Sequence, residues 1–483
     1  MGLLGILLGL ALLMWFAYRG WSVILLSPVA ALLVALLSGE PPLLANWTSN
    51  FMGGTASFVS RWFPLFLLGG IFGKLMDDSG SITSIARYLT EKLGVKRTML
   101  SVVLASAVVT YGGVSVFVAF FVLVPMAREM FKAANIPARL MPAAIGLGAF
   151  TFTMSAMPGT PSTNNAIPMP YFETTTFAAP GLGIIASIIT LVFGMWWLQR
   201  AEAKARAAGE NYVDDTGDVE ITEKVREQST LSGDFDPAEF EHGARAAALP
   251  PFFFALLPLL VVIVVNFLMA LIILPPRVDF SFLEQEPWNI DVGSSIGLWA
   301  VLIALAAAIV TLLVVNFNRL RAIRESLDAG AANSSVLPIL TIASLVGFGA
   351  VVAAMPAFTV VRDAALEVPG GPLVSLIVAM NALAALTGTA SGGMAIALNA
   401  LGDEYMRLAI QYGISPPDLM HRLTVLSAGT LDALPHNGTV LLLLQISKQT
   451  HASSYFDMVM TVIVGVIISL AVVFVLGSVF GSF

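Results

Sequence analysis

The sequence predicts an all-α polytopic membrane protein built from two inverted repeats. Three observations carry this. Apolar runs of spanning length recur from end to end, charge is confined to a few loops, and short polar breaks return at a nearly constant distance along the chain. Of 483 residues, 57% are hydrophobic and only 11% charged, against about 25% charged in soluble domains. The apolar runs are about 20 residues long, the length of a transmembrane helix. They are continuous, whereas a β-barrel alternates apolar and polar residues. There is no cysteine, which excludes disulfides, thiolate catalysis and cysteine metal sites. The net charge of −7 says little, because most charge sits in loops.

Spans are expected at 2–17, 21–38, 60–76, 98–109, 114–127, 140–157, 178–198, 249–274, 293–317, 335–355, 372–386, 420–434 and 456–478. The first lacks a basic n-region and an A-x-A site, so it reads as a retained helix. Residues 98–127 are interrupted by "TYGGVS" and 372–399 by "TGTASGG". Each reads as a re-entrant hairpin, since non-helical backbone at membrane depth survives only where protein or a cavity covers it. A charged insert at 199–247 carries Arg200, Lys204, Arg206, Lys224, Arg226 and Arg245 among acidic residues. Further basic loops hold Lys74, Arg87, Lys92, Lys96 and Arg97, and Arg319, Arg321 and Arg324. The positive-inside rule places all three in the cytoplasm. The chain divides into N-terminal membrane helices (1–57), a first inverted repeat (58–198), a charged cytoplasmic linker (199–247), helices opening the second half (248–334) and the remainder of the second repeat (335–483).

Landmarks in the two halves correspond. Gly112-Gly113 matches Gly392-Gly393 at an offset of 280, Leu140-Met141 matches Leu419-Met420 at 279, and Ala156-Met157-Pro158 matches Ala433-Leu434-Pro435 at 277. The span at 60–76 runs toward basic residues and its counterpart at 335–355 runs away from them, so the repeats are inverted. Inverted repeats with broken helices, and a site at their interface, are the architecture of secondary transporters.

Four breaks then form two pairs: glycine-rich at 110–115 and 387–394, proline-centred at 157–165 and 432–439. Glycine permits close backbone approach, proline frees carbonyls, and new helix starts offer N–H groups to an anion. The candidate substrate-binding residues are Gly112, Gly113, Ser115, Thr160, Ser162, Thr163, Asn164, Asn165, Thr389, Ser391, Gly392, Gly393, His436, Asn437 and Thr439. Thr110 and Thr387 add hydroxyls able to donate and accept. The competing reading is that small and hydroxyl residues merely pack helices. Asp432 and His436 are the ionisable members and the candidates for proton coupling, because intramembrane carboxylates are costly and histidine titrates near neutrality. Neither has a charged counterpart in the first half, where Ser155 stands near the Asp432 position. His421 and Arg422 read as interfacial, Arg362-Asp363 as a local pair, and Arg61 and Arg128 as snorkelling ends. No G-x-S-x-G or H-E-x-x-H motif supports an enzyme, and no span carries the polar stripe of a channel.

The stretches "FPLFLLGGIFGKLMDDSG", "TYGGVSVFV", "LGAFTFTMSAMPGTP", "LTGTASGGMAIAL" and "LDALPHNGTV" resemble the gluconate permease (GntP) family, within the wider ion transporter superfamily. They occur in family order over nearly the whole chain except 199–247. The resemblance implies a homodimeric, multi-pass carrier of the bacterial inner membrane, with a scaffold to which 248–334 contribute and a transport domain that moves as an elevator. It implies a small organic carboxylate and membrane lipids as partners, no nucleic acid, and no cofactor beyond an ion gradient. The expected function is proton-coupled symport of a small hydroxy-monocarboxylate resembling gluconate. The alternative is sodium-coupled symport of a dicarboxylate, tricarboxylate or amino acid. At the first proline break, Ser162-Thr163-Asn164-Asn165 is neither the Ser-Asn-Thr of sodium-dicarboxylate relatives nor the Gln-x-Gln of many gluconate-type members.

Overall fold

A computed structural model describes residues 2–18, 21–39, 42–94, 97–213, 248–320, 322–332, 336–366, 368–414, 417–435 and 437–483. Every regular element among them is helical. Among the described residues five helices are long and apolar enough to cross a membrane: Leu43–Asp78, Pro180–Ala207, Phe252–Ile273, Val292–Asn316 and His451–Phe480. Val336–Ala354 joins Phe358–Leu366 through a sharp bend. Shorter apolar helices include Gly2–Tyr18, Val23–Ser38, Thr98–Tyr111 and Pro372–Thr387.

One helix group collects the N-terminal pair with Leu43–Asp78, Phe252–Phe267, Val292–Asn316 and Val336–Ala354. Small residues let these helices touch at backbone distance, the usual device of membrane packing. A Cβ on Gly54 would lie 3.3 Å from Gly347 Cα, and one on Gly347 would lie 2.7 Å from Phe51 O. The second group contains Thr98–Tyr111, Val116–Ala134, Met141–Ala149 and Pro180–Ala207, with Pro372–Thr387, Asp418–Thr430, Gly438–Ile446 and Gly465–Phe480. The element order of 52–207 recurs in 336–480: a long helix, a short helix, a helix pair split at glycine, a helix ending in a proline break, a short helix and a long helix.

Several boundaries differ from expectation. The span expected at 60–76 belongs to a continuous 36-residue run, Leu43–Asp78. The span at 140–157 is broken at Phe150-Thr151, where Thr151 takes φ −112° and ψ −110° and Phe152–Ser155 restarts the helix. Ala390–Gln411 is a full helix that runs past the hairpin expected at 372–399, with Asp403, Glu404 and Arg407 in its last turns. Pro180–Ala207 carries Arg200, Lys204 and Arg206 as helical residues, and residues 214–247 of the expected linker lie outside the described residues. Lys74, expected in a basic loop, is buried in Leu43–Asp78. It donates to Asp78 at 2.9 Å, and Asp78 accepts from Ser326 Oγ at 2.6 Å. Arg128 turns inward and donates to Ile446 O at 3.0 Å. Arg362 and Asp363 do pair, at 2.9 Å.

Candidate functional site

The first glycine break separates Thr98–Tyr111 from Val116–Ala134. Gly113 adopts φ +93°, and a Cβ there would lie 2.7 Å from Pro161 Cγ. Glycine is thus required twice, by the positive φ and by close approach of the proline break. Gly112 faces the other way, where a Cβ would lie 2.1 Å from Leu259 Cδ2. Thr110 Oγ1 donates to Ser106 O at 2.9 Å and lies 3.1 Å from Thr153 Oγ1.

The first proline break is a braced excursion from Ser155 to Ala178. Ser162 is the N-cap of Thr163–Ala166. Its hydroxyl donates to Met154 O at 2.8 Å and accepts from Asn165 N at 3.3 Å. Asn165 Nδ2 donates to Thr160 O at 3.1 Å and Thr176 O at 2.9 Å. From the apolar helix Phe252–Phe267, Asn266 Nδ2 donates to Gly159 O at 3.1 Å and Thr176 Oγ1 at 2.9 Å. Tyr111 Oη donates to Pro158 O at 2.7 Å. Freed carbonyls are therefore met by side-chain donors, as buried backbone demands. Thr160 is fully buried and its hydroxyl has no partner among the described residues.

His421 and Arg422, expected at an interface, are both 0% exposed. Arg422 donates from Nε at 3.1 Å and Nη2 at 2.6 Å to Ala178 O, and from Nη1 to Ser155 O at 3.1 Å and Asn165 Oδ1 at 3.4 Å. It thus ties together both ends of the excursion. His421 Nε2 lies 3.3 Å from the same Asn165 oxygen and Nδ1 lies 2.6 Å from Thr174 Oγ1. The expectation failed because these carbonyl partners lie more than 240 residues away in sequence. One signal was available: both residues open the expected span 420–434, where an ionisable group is costly.

In the second half, Gly388 (φ +69°) and Thr389 separate Pro372–Thr387 from Ala390–Gln411. Gly393 permits helix contact, since its Cβ would lie 2.4 Å from Ala384 N. Gly392 is closed in by Thr389 and Leu345. Thr389 and Ser391 hydroxyls are 3.1 Å apart. Asp432 Oδ1 accepts from Ala390 N at 2.9 Å and Asn437 Nδ2 at 3.0 Å, and that amide also donates to Gly388 O at 2.8 Å. Asn437 Oδ1 caps Gly438–Ile446, accepting from Thr439 N at 2.7 Å and Val440 N at 3.2 Å. The amides of Asn165 and Asn437 are thus committed to the protein's own backbone and side chains. Thr439 is buried at the start of the capped helix. His436 lies outside the described residues.

Between the two helix groups is a cavity of about 160 Å³. Its polar wall is Thr110, Gly113, Ser115, Ser162, Thr163, Asn164 and, from the second half, Ser391. Opposite stand Gly69, Gly70 and Gly73 of Leu43–Asp78, with Leu305, Pro338 and Ile342. Gly112, Thr160, Asn165, Thr389, Gly392, Gly393, Asp432, Asn437 and Thr439 do not line it; those with bonds or close contacts here shape the breaks behind it. The glycine wall, Asn266, His421 and Arg422 are absent from the sequence-derived site. Gly69, Gly70 and Gly73 lie in the family-like stretch "FPLFLLGGIFGKLMDDSG", where the sequence reading gave them no role.

A helical membrane protein with a cavity that carries one polar wall at the meeting of broken helices belongs to the class of membrane transport proteins, and its relatives specify which. A family model described as GntP family permease matches residues 1–402. The uncharacterized transporter YxjC of Bacillus subtilis (strain 168) is 39% identical over 463 residues, 95% of each chain. The high-affinity gluconate transporter of Escherichia coli (strain K12) is 32% identical over 111 residues, covering 23% of this chain and 24% of that one. The crystal structure of the Alcanivorax borkumensis YdaH transporter shares the fold, with TM-score 0.52 and 16% identity over 90% of this chain and 88% of that chain. The chain belongs to the GntP permease family. It is a multi-pass transporter of the bacterial inner membrane.

Proposed function

We propose that the protein is a proton-coupled symporter for a small organic monocarboxylate bearing hydroxyl groups. The observation that carries this is the cavity, where the hydroxyls and amide of Ser115, Ser162, Thr163, Asn164 and Ser391 converge from both halves. Hydroxyls donate and accept at once, matching a polyhydroxylated solute, and the volume favours a compact one. Membership of a gluconate permease family agrees with a small organic anion. Asp432 is the proton carrier in this reading: a partly buried carboxylate that braces the second glycine tip at Ala390, the residue before cavity-lining Ser391. Neutralising it weakens its bonds to Ala390 N and Asn437 and loosens that tip. His436 is the second candidate carrier.

The recurrence of element order and the placement of basic residues beside 60–76 and 335–355 support two inverted repeats. The helix group around Leu43–Asp78 would be the scaffold, and the group holding the breaks would be an elevator-type transport domain in a homodimer. The decisive experiment is uptake by proteoliposomes of labelled gluconate, glycerate and lactate, with an imposed pH gradient in sodium-free buffer. Accumulation abolished by a protonophore is expected. Uptake that needs sodium and ignores the pH gradient would overturn proton coupling. Failure to carry any of the three acids would overturn the substrate class.

A further inference from the structure

Arg422 is fully buried, and its partners are two backbone carbonyls and one amide oxygen, all neutral. Among the described residues no carboxylate lies within ion-pair distance of it. Bracing the excursion does not require charge. Asn266 holds the same segment, at Gly159 and Thr176, with a neutral amide. A buried ion with no carboxylate in contact is costly, so the charge itself calls for a role. His421 shares the Asn165 oxygen, Tyr111 reaches the same excursion, and Asp418, one turn earlier on the same helix, offsets the guanidinium only from a distance. Arg422 does not line the cavity, but it bonds Asn165, the residue after cavity-lining Thr163 and Asn164. In a low-dielectric interior a charge set back by one residue still dominates the local potential.

We propose that Arg422 is the residue that makes the cavity select anions, acting through the first proline break and not by contact. This inference rests on the carrier reading given above.

Thermal stability of the purified full-length protein provides the test, since a ligand bound to the folded state raises it. The probes are gluconate, glycerate and lactate, each paired with its neutral counterpart: sorbitol, glycerol and propane-1,2-diol. The native protein is expected to respond to at least one acid and not to its counterpart. Arg422→Gln should lose that preference, with apparent affinity for the acid falling about tenfold or more. Arg422→Lys, which keeps the charge but not the planar fork, should retain it. A Gln variant that still prefers the acid, within about twofold of native affinity, would overturn the proposal while leaving the carrier reading intact. If the Gln variant does not fold, equal responses of the native protein to acid and counterpart, or loss of preference in folded Arg422→Lys, would overturn it. A native protein that neither binds nor transports any of the acids would overturn the carrier reading and this inference with it.

Discussion

The two proline breaks occupy matching places in the two halves, yet each is held by a different charge. At the first, a long excursion from Ser155 to Ala178 is braced from outside by Arg422, Asn266 and Tyr111, with Asn165 as its internal tie. At the second, a short turn is braced by Asp432 and Asn437, both its own residues, which reach to Gly388 and Ala390 at the neighbouring glycine tip. One break contributes the polar cavity wall at 161–164 and the other does not. The difference teaches that matched sequence positions fix where the helix opens, while the bracing decides what the opening does. The first break is a rigid wall. In the proposed coupling, the second is a latch whose strength depends on one proton.

Asp432→Asn breaks the comparison most directly. An amide cannot gain or lose the proton, so accumulation driven by a pH gradient should vanish, with solute exchange at equal concentrations retained. Uptake and counterflow in the same vesicles separate the two effects. Accumulation at the native level would remove Asp432 from the coupling.

Gly113→Ala should follow in size. It places a Cβ 2.7 Å from Pro161 at a φ of +93°, a conformation that disfavours alanine by more than about 1 kcal/mol. Transport should fall steeply in a protein that still inserts, as seen by uptake normalised to folded protein.

Asn437→Ala removes the cap of Gly438–Ile446 and leaves Asp432 with one donor. Loss of an N-cap alone is worth about 1 kcal/mol. A lower melting temperature is expected, accompanied by a weaker grip on the tip at Gly388. Asn165→Ala tests the other break, where the lost amide leaves Arg422 one acceptor short. Similar drops in melting temperature for both would mean that the two braces are equivalent in strength.

Ser391→Ala should have the smallest effect. It deletes the second half's hydroxyl from the cavity wall and should raise KM several-fold, about 1 kcal/mol for one hydrogen bond, with little change in melting temperature. An unchanged KM would confine solute recognition to the first half.

The breaks themselves were legible in the sequence, because glycine and proline interrupt apolar helices for local reasons. The interruption at Phe150-Thr151 was not, since neither residue type breaks a helix. The last turns of Ala390–Gln411 were hidden by their charges. The roles of Arg422 and Asn266 depend on carbonyls more than 90 residues away, and no local pattern encodes such pairings. The cavity wall was half visible: its hydroxyls came from the breaks, whereas its glycine side came from a span that reads as ordinary packing.

That glycine side has a consequence for discrimination among solutes. Gly69, Gly70 and Gly73 present bare backbone to the cavity, with no rotamers to freeze when a guest arrives and hence no side-chain entropy to lose. Such a surface neither measures the length of a carbon chain nor rewards one shape over another. A carrier with this wall would tolerate related acids of different size while remaining strict about charge and hydroxyl pattern.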